Sequence, residues 1–326
     1  MTGAPDNYQA GFARRWGQLA QPHVRALAWL LHAPDLLDPA DPHWEGRIAS
    51  LGVLPAAVDE WLMRLDADPS RLLEALGTRN YTRLGLYAEK LMAFYFQEHG
   101  QLVAHGLQVR ASRNDTVGEF DFLLDHGDGG LEHIEFATKF YLLEGAAALR
   151  FDTFVGPNLA DSLGAKMRKI FERQLALGAH PAAQAVLPRP VTRARALVKG
   201  WLFYPGGAGQ GQAMDGISGQ HCRGFWCALE EVAALAPDAW VILPRLQWLA
   251  PFSAPDQAGL LTREQLQATL EEKFGTVPMP VLVAGVRVEQ GCLLETQRGF
   301  IVPNDWRVRA AFRQKMIGAQ ASGQPA

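Results

Sequence analysis

The sequence predicts an α/β fold whose core runs helix, three strands, helix, strand around a mixed sheet, with helices before it and an α/β extension after it. Three observations predict this order. An apolar segment with helical spacing, Leu84 to Phe96, is followed by three β-like runs, LVAHGLQVR, TVGEFDFLLD and LEHIEFATKFYLL. A Gly/Asp cluster, HGDGG at 126–130, separates the last two as a hairpin turn does. A helical stretch from about Ser162 to Leu177 then leads into ALVKGWLFYP, which reads as a buried strand.

Taken in order, the chain begins with helices. From Pro22, Val24, Leu27, Leu30 and Leu31 fall at helical spacing until Pro34 stops the run. A second helix is expected from Pro55, with Val58, Leu62 and Leu65 on one face and Pro69 closing it. In the Leu84–Phe96 helix, Leu84, Tyr87, Leu91 and Tyr95 recur every three or four residues, and Glu89 and Lys90 are the only charges. The helix after the three strands buries Leu163, Met167, Ile170, Phe171 and Leu175, and Asp161 is placed to cap it. Beyond it, GFWCALEEVAAL fits strand or helix, AWVILP a strand, TREQLQATLEEKFG a helix, and PVLVAGVRVE with ETQRGFIVP a hairpin. Residues 1–78 are thus expected as an N-terminal helical segment and 79–204 as the core. Residues 205–316 follow as a C-terminal α/β extension packed on it, and 317–326 as a disordered tail. The Gly-rich stretch from Pro205 to Gly219 reads as a linker.

The bulk composition narrows the function. With 48% hydrophobic and 20% charged residues the chain can bury a large core without staples. A net charge of −3 gives no global pull toward nucleic acid, so such a partner would be held by a local patch. Cys222, Cys227 and Cys292 form no CxxC pair and read as buried apolar side chains. Met1 to Arg15 lacks an apolar signal core and no run spans a membrane, so a soluble, cytoplasmic protein is expected. There is no GxSxG elbow and no GxxxxGK[ST] loop. The glycines from Gly206 to Gly211 lack the strand–loop–helix setting of a dinucleotide site, so no nucleotide cofactor is expected.

The chemistry is concentrated in two strands. Alternation places Glu119 and Asp121 on one face of GEFDFLLD, and Glu135, Ala137 and Lys139 on one face of LEHIEFATKFYLL. Adjacent strands lie about 4.8 Å apart, so one carboxylate from each can share a divalent cation. Without one they would repel and one would take up a proton. A structural pair, salt-bridged for instance to Lys139, is the bland alternative. Such an ion, magnesium or manganese, could activate water and stabilise a phosphodiester's leaving oxygen.

These residues resemble a known group. LGLYAEKLMAFYFQEHG with GEFDFLLDHGDGGLEHIEFATKF is similar to the core of the PD-(D/E)XK nuclease-like superfamily, which has a restriction-endonuclease-like fold. More specifically, the chain resembles a bacterial family of unknown function, the domain numbered eighteen fifty-three. VRALAWLLHAPDLL, RLGLYAEKL, EFATKFYL, GPNLADSLGAKMRKIFERQLAL, LPRLQWLAP and RGFIVPNDW carry that likeness from about residue 24 to 306. The resemblance implies a metal-dependent nuclease in which Glu89, Asp121 and Glu135 bind the metal and Gln174 faces the site. The superfamily's lysine stands two residues after the acid, where this chain has Ala137. Lys139 lies on the same face but about 13 Å from Glu135 along an ideal strand, against about 7 Å for the usual spacing. A catalytically inactive module that binds nucleic acid or protein is the alternative function.

Two basic runs flank this core. Lys166, Arg168, Lys169 and Arg173 lie on the helix, and Arg189, Arg193, Arg195 and Lys199 precede or open the last core strand. Lys166, Lys169, Arg173, Arg193 and Arg195 are the candidate nucleic-acid contacts. None of the nine histidines forms a metal-spaced pair, and His133 reads as a surface residue. Trp201, Trp226, Trp240, Trp248 and Trp306 are irregularly spaced and read as core side chains rather than a stacking platform.

Overall fold

The computed structural model describes residues 7–321, apart from 79, 114, 128, 146–150, 207–213, 256–258 and 290. Five helices come first: α1 (Tyr8–Trp16), α2 (Pro22–His32), α3 (Ala56–Ala67), α4 (Ser70–Leu76) and α5 (Leu84–Glu98). Proline opens α2 at a position where its missing N–H costs nothing. Then come β1 (Leu102–Ser112), β2 (Asp115–Asp125), β3 (Leu131–Leu143), the short β4 (Phe154–Val155), α6 (Leu163–Lys169), α7 (Pro181–Gln184) and β5 (Val191–Pro205). The expected helix, three strands, helix, strand is therefore present. The cap of α6 is Ser162, whose hydroxyl accepts from Ala165 N at 3.2 Å, while Asp161 turns to Lys166. The helix also ends sooner than its apolar spacing suggests. It passes at Ile170–Gln174 into a π turn, closed by Leu175 N donating to Ile170 O.

The C-terminal half holds β6 (Cys222–Ala228), β7 (Ala239–Ile242), β8 (Ser253–Ala254), β9 (Leu261–Thr262), α8 (Arg263–Thr276), β10 (Val281–Glu289), β11 (Cys292–Val302) and α9 (Trp306–Ala321). These strands continue the core sheet. β6 lies parallel to β5 and β11 parallel to β6, and the order is β1-β2-β3-β5-β6-β11-β10-β7-β9. The sheet is mixed, since β3 is antiparallel to β2 and parallel to β5. α9 runs to Ala321, into the segment expected to be disordered, and 322–326 lie outside the described residues. Most of the Gly-rich linker and the centre of the HGDGG turn also lie outside them. Among the described residues no helix is long and apolar enough to cross a membrane.

One face of the sheet carries the larger core, in which α2 and α5 pack on Phe122, Ile134, Phe136 and Trp201. Trp29 stacks on Trp201 with centroids 6.4 Å apart, and Trp226 and Trp306 are fully buried. On the other face α6 and the π turn cover Ala137, Tyr141 and Val198. The edge of β5 not paired by β6 is covered by Leu36–Ala49, through Leu36 N to Val198 O and Ala49 N to Ala196 O. Lys199 fastens this segment, donating to Ala33 O at 2.6 Å and pairing with Asp35 at 2.8 Å.

At the centre, β3 and β5 approach so closely that one position admits only glycine. Gly200 sits opposite Lys139, and a Cβ there would lie 2.0 Å from the Lys139 carbonyl oxygen. Gly200→Ala is expected to lower the unfolding free energy by about 1–3 kcal/mol, because β3 must shift to relieve the overlap. A urea titration checks this; an unchanged midpoint would mean the strands tolerate the displacement.

Candidate functional site

The ladder between β2 and β3 pairs Asp125 through Phe122 with Leu131 through Ile134. Two residues further along β3, the Phe136 N–H donates to Asp121 Oδ2 at 2.9 Å. A side chain thus satisfies a backbone donor that a neighbouring strand would otherwise take. Asp121 and Glu135 meet at this fork, and their carboxyl groups are hydrogen-bonded to one another. Glu135 is 5% exposed and lies on the face covered by the π turn. From that turn Gln174 Nε2 donates to Glu135 Oε1. Glu135 Oε2 is buried with no hydrogen-bond donor, and His133 Nε2 stands 3.8 Å away.

Burial sets the electrostatics of the pair. It drives the Glu135 carboxyl well above the usual range, reinforced by the charge of Asp121 and by the bond in which Glu135 keeps the proton. Lys139 and Lys169 oppose this only in part. Asp121 is raised less: burial, Glu89 and Glu119 push it up, while the Phe136 N–H and the bond to Glu135 hold it down. Both carboxyls are therefore pushed toward their protonated forms, Glu135 more than Asp121. His133 is fully buried, contrary to its expected surface position, and desolvation lowers its pKa to about 4. Its ring packs edge-on against Phe120 with centroids 4.8 Å apart. It is a neutral wall of the site.

The other expected residues divide. Glu89 on α5 contributes charge to Asp121, but its Oε1 is held by His105 Nε2 at 2.7 Å. Among the described residues no group of three or more His, Cys, Asp or Glu side chains is gathered to hold a metal ion. Lys139 feels both acids, and burial with the nearby Lys166 lowers its pKa to about 8. Ala137, at the superfamily's usual lysine position, is buried against the helix layer. Of the candidate nucleic-acid contacts, Arg195 is turned to the buried Glu132, which His126 also engages. Lys166 pairs with Asp161 at 3.2 Å, while Lys169, Arg173 and Arg193 are exposed.

Residues 25–302 match a known family, the domain of unknown function DUF1853. The chain belongs to that family. Neither the curated proteins nor the solved structures provide a match. The DUF1853 span holds the forked strands, the π turn and both cationic segments described next.

Sequence reasoning missed Arg83 and Arg245. With Lys139 and Lys166 they line a cavity of about 300 Å³ beside the fork. Both stand in stretches that carried the family likeness, RLGLYAEKL and LPRLQWLAP, but they are 162 positions apart, and only the folded sheet brings them together.

The raised Glu135 carboxyl makes stability depend on pH in the unusual direction. The native Glu135 holds its proton to higher pH than the unfolded chain does, so this contribution is complete below the ordinary glutamate value of 4.5. It is lost as pH climbs toward the raised native value, at about 1.4 kcal/mol per unit of difference. Urea midpoints of the wild type should fall between pH 5 and pH 9 relative to those of Glu135→Gln, which keeps both hydrogen bonds without the charge. Parallel curves would mean that no proton is retained.

Proposed function

We propose that the chain is a metal-dependent phosphodiesterase with a restriction-endonuclease-like core of the PD-(D/E)XK kind, hydrolysing nucleic acid. The observation that carries this reading is the pair of buried carboxyls, one from each arm of a strand fork, with a cation-lined cavity further along β3. The donor set suits a divalent ion: Glu135 Oε2 lacks a partner, and both carboxyls are raised as acids are when a compensating cation is missing. Magnesium takes one or two carboxylates and completes its shell with water and phosphate oxygens, so two acids suffice. Asp121 and Glu135 would hold magnesium or manganese, whose chemistry there is to activate water and stabilise charge on a phosphodiester.

The chain's own residues have separate tasks. Gln174 fixes the rotation of the Glu135 carboxyl, and the Phe136 N–H fixes that of Asp121. Lys139 lines the cavity and feels both acids, so its ammonium can stabilise the negative charge of a phosphate there. Glu89 adds negative charge from α5 and keeps its orientation through His105.

A second reading, a nuclease-fold module that binds without turnover, is favoured by Ala137 at the lysine position and by the tie between Glu89 and His105. One assay separates the two. Purified protein with single-stranded and structured DNA and RNA, in magnesium or manganese, is expected to cleave at least one substrate. Asp121→Ala should slow that cleavage about 100-fold or more. Binding without cleavage in every condition would support the second reading, and equal cleavage by wild type and Asp121→Ala would remove the first.

A further inference from the structure

The cavity beside the fork is assembled from distant parts of the chain. Arg83 immediately precedes α5, Lys139 lies on β3, Lys166 on α6, and Arg245 in the turn after β7. The one acid in its lining, Asp161, is occupied by Lys166 at 3.2 Å and by the Tyr141 hydroxyl. Among the described residues Arg83, Lys139 and Arg245 have no ion-pair partner. Arg245 lies over the ring of Trp248, 5.1 Å from its centroid, which leaves its N–H groups free to donate.

Several other cations near the core are paired, whereas Lys169, Arg173 and Arg193 are exposed as Arg83 and Arg245 are. Arg168 pairs with Asp152, Arg189 with Asp125, Arg195 with Glu132, and the buried Lys199 with Asp35. Lys139 is lowered to about 8 by burial and then by repulsion from Lys166, which Asp161, Glu135 and Asp121 offset only in part. An anion bound among these groups would relieve that repulsion.

The arrangement selects the kind of anion. Arg83 and Arg245, neither with an ion-pair partner, together exceed the single charge of a phosphodiester, whereas a phosphate monoester carries nearly two and offers three acceptor oxygens. Guanidinium groups match those oxygens in pairs. A cavity of about 300 Å³ is at the small end of ligand pockets and has room for a terminal nucleotide. Lys139 belongs to the cavity and also feels the charges of Asp121 and Glu135, which links the cavity to the acid pair along β3 although neither acid lines it.

We propose that this cavity binds the phosphate monoester at the end of a nucleic-acid strand, so that the acid pair acts on a linkage counted from that end. The assignment rests on the phosphodiesterase reading for its substrate class. It makes the enzyme end-directed.

The test measures binding without metal, so that cleavage plays no part. Fluorescence anisotropy in EDTA compares one internally labelled oligonucleotide in three forms: 5′-phosphorylated, 3′-phosphorylated, and hydroxyl at both ends. The wild type is expected to bind one phosphorylated form about ten-fold or more tightly than the hydroxyl form, as one or two charge-assisted hydrogen bonds provide. The preferred form identifies which end is read. In Arg83→Ala/Arg245→Ala, whose replaced side chains are exposed, the preference should disappear while the thermal melt stays unchanged. Equal affinity of the wild type for all three forms overturns the proposal. So does a preference that survives in the double variant, or a phosphoserine peptide that competes as well as the phosphorylated strand. Failure here is distinguishable from failure of the activity: Asp121-dependent cleavage without end preference sinks only the cavity. End preference without cleavage in any metal sinks only the phosphodiesterase.

Discussion

The site depends on one hydrogen bond, from the Phe136 N–H to the Asp121 carboxylate. A strand that parts from its neighbour leaves main-chain donors that must be paired elsewhere, at a cost of about 1–3 kcal/mol when they are not. Here the departing strand supplies the acceptor itself. Asp121 takes the donor and in doing so stands beside Glu135, so the opening of the sheet and the meeting of the acids are one event. The π turn completes it: its i→i+5 bond inserts a residue and brings Gln174 to Glu135.

β3 contains its own control for what these acids are doing. Glu132 and Glu135 lie three residues apart and are both nearly inaccessible. Glu132 is satisfied by Arg195 and His126, as a structural carboxylate is. Glu135 has cations only at a distance and its carboxyl is raised instead, while burial lowers the pKa of the nearest ring, His133. The two glutamates of one strand thus differ in how burial is met, Glu132 by an ion pair and Glu135 by a raised pKa.

What the sequence shows of this arrangement follows the range of the forces involved. Periodicity and punctuation are local, so α2, α3, α5 and the first three strands stand where Pro22, Pro34, Pro69 and the HGDGG cluster put them. Alternation also places Asp121 and Glu135 on facing positions, because both strands are regular up to the fork. Three features were not legible. The continuation of the sheet through β6 and β11 depends on which edge each strand finds, and local sequence does not record that. Ser162 rather than Asp161 caps α6, and the aspartate pairs with Lys166. The basic run at 189–199 suggested phosphate contact, yet three of its four cations are spent on Asp125, Glu132 and Asp35, which lie far from them in the chain.

The C-terminal half is tied to the chemistry through a buried ion pair. Arg298 is fully inaccessible, meets Glu295 at 2.7 Å through two nitrogens, and lies 4.2 Å from the Trp201 ring centroid. Its remaining N–H groups go to the carbonyls of Trp248 and Ala250, and Glu295 accepts from Phe252 N at 2.8 Å. Burying such a pair gains little net stability over an apolar substitute, but removing either partner strands a charge. Its effect here is positional. It fastens the turn that carries Arg245 and Trp248 to β11, so the far wall of the cavity is set by a strand parallel to β6 rather than by a loop. Arg83 enters from the N-terminal helices, Lys139 and Lys166 from the core, and Arg245 from the C-terminal strands. No one of these segments contains the cavity, and the packing of the N-terminal helices on the continuous sheet brings them together.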